Sequence, residues 1–107
     1  EPSSKTDKIE KYDDELMIIE FLFAAAENDV DGLRQLVAKG IPVNAGDKDS
    51  RTSLHLAAAE GSLEAVKYLI NHSHPLSVRD RWGATPLDEA IREKRQHVVE
   101  YIKELKK

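Results

Sequence analysis

The chain has 107 residues, 40% of them hydrophobic and 34% charged, with a formal net charge of −4 at pH 7. That length suits one domain, and the acidic balance supplies no global field for nucleic acid or anionic lipid. There is no cysteine to staple a fold or act as a nucleophile, a usage that fits an intracellular setting, and no apolar run approaches the ~18 residues of a membrane span.

Residues 1–14 (EPSSKTDKIEKYDD) are polar, carry mixed charge and read as a flexible charged linker rather than a signal peptide. The chain starts at Glu1 rather than Met, which leads to the expectation of a piece cut from a longer protein. From Leu16 the texture changes to Leu-Met-Ile-Ile-Glu-Phe-Leu-Phe, seven apolar residues in eight. A helix with one buried face uses only about half of these. The remainder, taken as Leu16, Met17, Ile18, Ile19 and Leu22, is expected to meet a preceding domain or a second copy of the chain.

From here the chain repeats every 33 residues without a gap. Thr52 and Thr85 correspond, as do Leu54 with Leu87, Ala57 with Ala90, Val66 with Val99 and Leu69 with Ile102. In the other direction Leu54 corresponds to Phe21, Ala57 to Ala24, Ala58 to Ala25, Val66 to Leu33 and Leu69 to Leu36. A fixed period of this kind marks stacked units that bury their apolar faces only against one another.

The middle unit is the clearest. Asp47-Lys48-Asp49-Ser50 has turn-forming residues. Thr52 then offers an N-cap hydroxyl to a short helix, SLHLAAAE, that ends at Gly61, the residue suited to a left-handed C′ position. A second helix from Leu63 to about Asn71 carries Leu63, Val66, Leu69 and Ile70 as one stripe. Asn28 and Lys94 stand where Gly61 does. Asn tolerates the left-handed region, whereas Lys94 implies a looser final turn. The alanines at 24, 25, 57, 58 and 90 allow close helix approach.

Asp47, Arg51-Thr52, Leu54-His55-Leu56-Ala57-Ala58, Gly61, Val66 and Leu69 together resemble the ankyrin repeat, as do Asp80, Gly83, Thr85-Pro86-Leu87, Ala90, Val99 and Ile102. The resemblance implies an all-α ankyrin solenoid of three helix-turn-helix units with finger loops, in repeats of about 15–46, 47–79 and 80–107, residues 15–107 forming the domain. It further implies that the outward positions read by a protein partner are Lys48, Asp49, Arg51, Ala59 and Glu60, then Arg81, Trp82, Ala84, Arg92 and Glu93. The wording Asp49-Ser50-Arg51-Thr52-Ser53-Leu54-His55-Leu56-Ala57-Ala58-Ala59-Glu60-Gly61 with Asp80-Arg81-Trp82-Gly83-Ala84-Thr85-Pro86-Leu87-Asp88-Glu89-Ala90 is similar to the C-terminal ankyrin region of animal-type glutaminases. Plant ankyrin-containing protein kinases and potassium channels share much of it. The glutaminase resemblance implies a mitochondrial setting and a parent enzyme that hydrolyses glutamine to glutamate and ammonia.

No catalytic set accompanies these motifs. The chain lacks a Gly-rich phosphate loop, a Gly-x-Ser-x-Gly elbow and the Ser-x-x-Lys pair of glutaminases, so no residue is assigned a catalytic role and no cofactor is expected. His55 and Asp88 each follow a capping threonine by three and read as helix-start partners rather than as a base or ligand. His72 and His74 lack the further ligands a structural zinc needs, so no metal site is assigned. Arg79, Arg81, Arg92, Lys94 and Arg95 are interleaved with Asp80, Asp88, Glu89 and Glu93, which makes a self-screened mixture. Trp82 is either an interface anchor beside arginines or a structural plug under the neighbouring finger.

Overall fold

In the computed structural model, residues 15–106 are described, so the expectation placed on 1–14 lies outside the described residues. Among the described residues six helices follow one another: α1 (residues 15–26), α2 (Val30–Ala38), α3 (Ser53–Glu60), α4 (Leu63–Asn71), α5 (Pro86–Arg92) and α6 (Gln96–Leu105). Among the described residues extended pairing is limited to one antiparallel bridge between Gly46 and Thr52.

The five helices from α2 onward are only seven to ten residues long. Helices below ~12–15 residues are marginal alone in water, so these exist by packing. The contacts are those of a stack. α3 packs on α4 within its unit and on α5 of the next, α5 packs on α6, and α4 lies between α2 and α6. One continuous core runs through all three units, with Phe21, Leu33, Leu54, Val66, Leu69, Val98 and Ile102 at its centre. Ala24, Ala25, Ala57, Ala58 and Ala90 are buried among them.

The capping chemistry is repeated along the chain. Thr52 and Thr85 each close a reciprocal capping box, with His55 and Asp88 respectively as the third helical residue. Each helical pair then turns through a left-handed residue: Asn28 (φ 61°), Gly61 (φ 73°) and Lys94 (φ 61°). The turn bonds match from unit to unit. Gly61 N donates to Ala58 O (3.2 Å) and Ser62 N to Ala57 O (2.9 Å), while Lys94 N donates to Ile91 O (3.1 Å) and Arg95 N to Ala90 O (2.8 Å). The looser turn expected at Lys94 is therefore corrected. Neighbouring bonds hold the same tight geometry, and the β-carbon of lysine is simply forced into it. Gly61 has a second reason to be glycine, since a β-carbon there would stand 3.0 Å from Arg95 Cδ.

Units are also tied by polar bonds that recur at the same offset. Ser62 Oγ donates to Ala26 O (2.8 Å), and Arg95 Nε donates to Ala59 O (2.9 Å). Asn28 Oδ1 accepts from Ala65 N (2.9 Å).

One expectation for the N-terminal end needs correction. Leu22 is only 6% exposed. It occupies the first unit's counterpart of the buried His55, so it belongs to the core and not to an assembly surface. The C-terminal end exposes an apolar side chain of its own. Ile91 is 51% exposed, whereas its counterparts Ala25 and Ala58, each covered by a following unit, are fully buried.

Candidate protein-binding face

Two finger loops stand side by side. In the first, Asp47 Oδ1 accepts from Asp49 N (2.9 Å) and Arg51 N (3.0 Å). In the second, Asp80 Oδ1 accepts from Trp82 N and Ala84 N, both at 2.9 Å. The main chain closes each loop as well, through Asp47 N to Arg51 O and Asp80 N to Ala84 O. Ser50 (φ 61°) and Gly83 (φ 84°) make the equivalent left-handed bend. Burial alone would push the Asp80 carboxyl up, but its backbone donors, Ala84 and Trp82, outweigh that and hold it below the usual carboxylate range.

The fingers are clasped to each other. Arg81 N donates to Asp49 O (2.8 Å), and Arg81 Nη1 reaches Asp49 Oδ1 (3.2 Å). His55, fully buried, anchors the second finger from below, its Nδ1 accepting from Thr52 N (3.1 Å) and its Nε2–H donating to Ala84 O (2.8 Å). Those two bonds define a neutral imidazole protonated on Nε2, in a structural role.

Trp82 is 68% exposed, with the Arg81 guanidinium 5.7 Å from its ring centroid. Most of the indole faces solvent, so it is not a plug beneath a neighbouring finger. Lys48 and Arg81 are exposed, and Asp49 and Arg51 are half-buried beside them. Arg79, which sequence reasoning did not place on this face, stands at the base of the second finger and donates to Gly83 O (2.7 Å). Ala84, at the end of the second finger, is half-buried; at the end of the inner helices Glu60, Arg92 and Glu93 are exposed and Ala59 is half-buried. Arg92 pairs with the buried Glu89 and with Glu93 (3.0 Å), contacts that raise its already high pKa, the hydrogen bond to Glu89 contributing most.

Among the described residues the first unit shows no matching finger. The residues at those positions, Leu16-Met17-Ile18, are helical, so α1 begins where the other units still have loop. Leu16, Ile19 and Phe23 form an exposed stripe on α1, Phe23 at 61%, while Met17 and Ile18 are partly buried against the core. Between this extra helical turn and the first finger lies a groove of about 590 Å³ lined by Glu15, Ile18, Ile19, Gly46, Asp47 and Lys48.

The histidines of the loop after α4 point apart in function. His72 Nδ1 donates to Tyr68 O (2.8 Å) and its ring stacks on Tyr68. His74 is buried (3% exposed), Nδ1 donates to Pro75 O (2.9 Å), and Nε2 has no partner among the described residues. Burial pushes its pKa below the ordinary histidine value, opposed in part by the Pro75 bond. Among the described residues no group of three or more His, Asp or Glu side chains is placed to hold a metal ion.

The sequence matches the family described as Ankyrin repeats (3 copies) over residues 21–107. The chain belongs to the ankyrin-repeat family. Its all-α solenoid and paired capping boxes agree with that membership, and ankyrin repeats are non-catalytic protein-interaction modules. No curated protein matches the chain. No described helix is long and apolar enough to cross a membrane.

Proposed function

We propose that the chain binds a protein partner through its finger-and-inner-helix face, with Lys48, Asp49, Arg51, Glu60, Arg81, Trp82, Arg92 and Glu93 as the contacting residues. The observation that carries this reading is the exposed Trp82 on a finger whose backbone is already hydrogen-bonded to Asp80. Large aromatics beside arginine supply much of the energy of interfaces, and a preordered loop loses little entropy on binding. Changing Trp82→Ala together with Arg51→Ala is expected to weaken partner contact by about 2 kcal/mol while leaving helical circular dichroism intact. Unfolding of the double variant would refute the assignment.

For the parent, the reading is the C-terminal ankyrin part of a glutaminase, with a mitochondrial location. Its support is the wording of residues 49–61 and 80–90. The upstream coding sequence tests it: a domain with a Ser-x-x-Lys pair is expected, and a kinase domain or channel pore would replace the reading with the adaptor alternative.

A second surface is favoured by the exposed stripe Leu16, Ile19 and Phe23, with Met17 and Ile18 at its edge. Leu56 and Glu89, the counterparts of Phe23 in the later units, are half-buried and buried. The stripe therefore lies where a preceding unit would stack, and the reading is an assembly contact with a preceding domain or a second copy. Sedimentation should show concentration-dependent association that Ile19→Lys abolishes; a monomer throughout would exclude the second copy.

A further inference from the structure

The finger row differs from the rest of the surface in how its charges are used. Its carboxylates are already engaged: Asp47 and Asp80 on backbone N–H groups, and Asp49 on Arg81. Its cations are less fully engaged. Among the described residues Lys48 and Arg51 make no ion pair, while the exposed Arg79 and Arg81 each make one side-chain hydrogen bond, to Gly83 O and Asp49 Oδ1. A guanidinium has five donors, so most of those of Arg79 and Arg81 face outward for an acceptor to take. The row is therefore rich in donors and poor in acceptors, although the whole chain is acidic.

The two ends of the row are apolar. One end is Trp82. At the other, α1 takes the place of a finger among the described residues, and the groove beside Lys48 has Ile18 and Ile19 as its apolar wall, with Glu15 and Asp47 also lining it. The intervening distance is set by the stack. Packed helices lie ~8–10 Å apart, and an extended chain advances ~3.3 Å per residue. Successive units are thus met by side chains about three residues apart.

We propose that the partner is an extended acidic peptide segment, with carboxylates at intervals of about three residues meeting the Arg81/Arg79 and Arg51/Lys48 pairs and an apolar side chain entering the Ile18–Ile19 groove. This rests on the finger-face reading above and narrows it. A single-stranded nucleic acid, which also favours cations beside an aromatic ring, suits the row less well. The groove offers isoleucines instead of a second stacking ring.

The test is a selection of random peptides of about twelve residues, displayed on phage, against the full chain, followed by fluorescence anisotropy with the enriched synthetic peptides. The expected peptides are acidic with an apolar residue near one end. Their affinity should fall at least tenfold on Arg51→Glu with Arg81→Glu, several-fold on Ile19→Lys and steeply with added salt, while circular dichroism is unchanged. Enrichment of neutral or basic peptides that still depend on Trp82 would overturn the acidic partner and leave the finger face standing. Binders insensitive to every finger variant, or no binders at all, would overturn both. A labelled twelve-nucleotide RNA binding more tightly than the peptides, with the same dependence on Arg81 and Trp82, would also overturn the proposal.

Discussion

His74 is a polar residue in an apolar slot, and replacing it should stabilise the protein. Its counterpart one unit earlier is Ile41, also buried, and the two backbones are held alike: Ile41 N donates to Leu36 O and His74 N to Leu69 O. Isoleucine therefore fits the local chain direction at 74. His74→Ile removes a buried nitrogen that has no hydrogen-bond partner, a cost of about 1–3 kcal/mol. The carbonyl of Pro75 loses its imidazole donor, but Pro75 is exposed and water can replace it. A net gain of about 1–2 kcal/mol remains, and each kcal/mol is worth ~4–8 °C in Tm for a domain of this size. The sign with pH follows from burial. The folded state holds His74 below the ordinary value near 6.5, so the unfolded chain binds more protons as pH falls through 6.5, and stability declines toward acid at no more than ~1.4 kcal/mol per pH unit. Urea unfolding of both proteins from pH 7.5 to 5 measures both effects. The variant should be more stable at every pH and lose this part of the slope. A destabilised variant, or an unchanged slope, would refute the reasoning that burial of this imidazole is a liability.

Lys94→Gly should raise stability by about 1 kcal/mol, because the left-handed turn at φ 61° disfavours a β-carbon; a loss of stability in thermal unfolding would show that the lysine side chain has a stabilising partner. Asp80→Ala should cost about 1–3 kcal/mol by leaving the Trp82 and Ala84 amides without their shared acceptor, and nuclear magnetic resonance should show the second finger broadened while α3 and α4 keep their shifts. Hydrogen exchange should be faster in α5 and α6 than in α3 and α4, since the third unit has one neighbour and the second has two; equal protection would mean that the exposed Ile91 end is covered in solution.

The fold was legible because one period carries every part of it. Thr52 and Thr85 mark helix starts, the buried alanines mark close approach, and Leu54, Val66 and Leu69 mark the core, each at the same offset. The first unit was harder to read. The counterparts of Asp49, Ser50 and Arg51 are Leu16, Met17 and Ile18, none of which forms turns, so the helix runs on through the finger position. That same offset placed Leu22 on His55, which the sequence reads as a helix-start partner, so only the observed burial of both residues marks the slot as core. Lys94 misled because propensity describes a residue's own preference, whereas flanking bonds can impose a conformation against it. The exposure of Trp82 and the orphaned nitrogen of His74 depend on which groups lie nearby in space, and no single-chain spacing reports that.

The aspartates that close the fingers are not the side chains that the fingers display. Asp47 and Asp80 face the backbone, while Lys48 and Arg51 follow the first and Arg81 and Trp82 the second, mostly outward. Loop shape and recognition chemistry thus reside in two separate sets of residues. Substitutions in the outward set can change what is recognised and leave the loop's form intact, so binding specificity in such a chain is free to drift or be re-engineered without a matching repair of the scaffold.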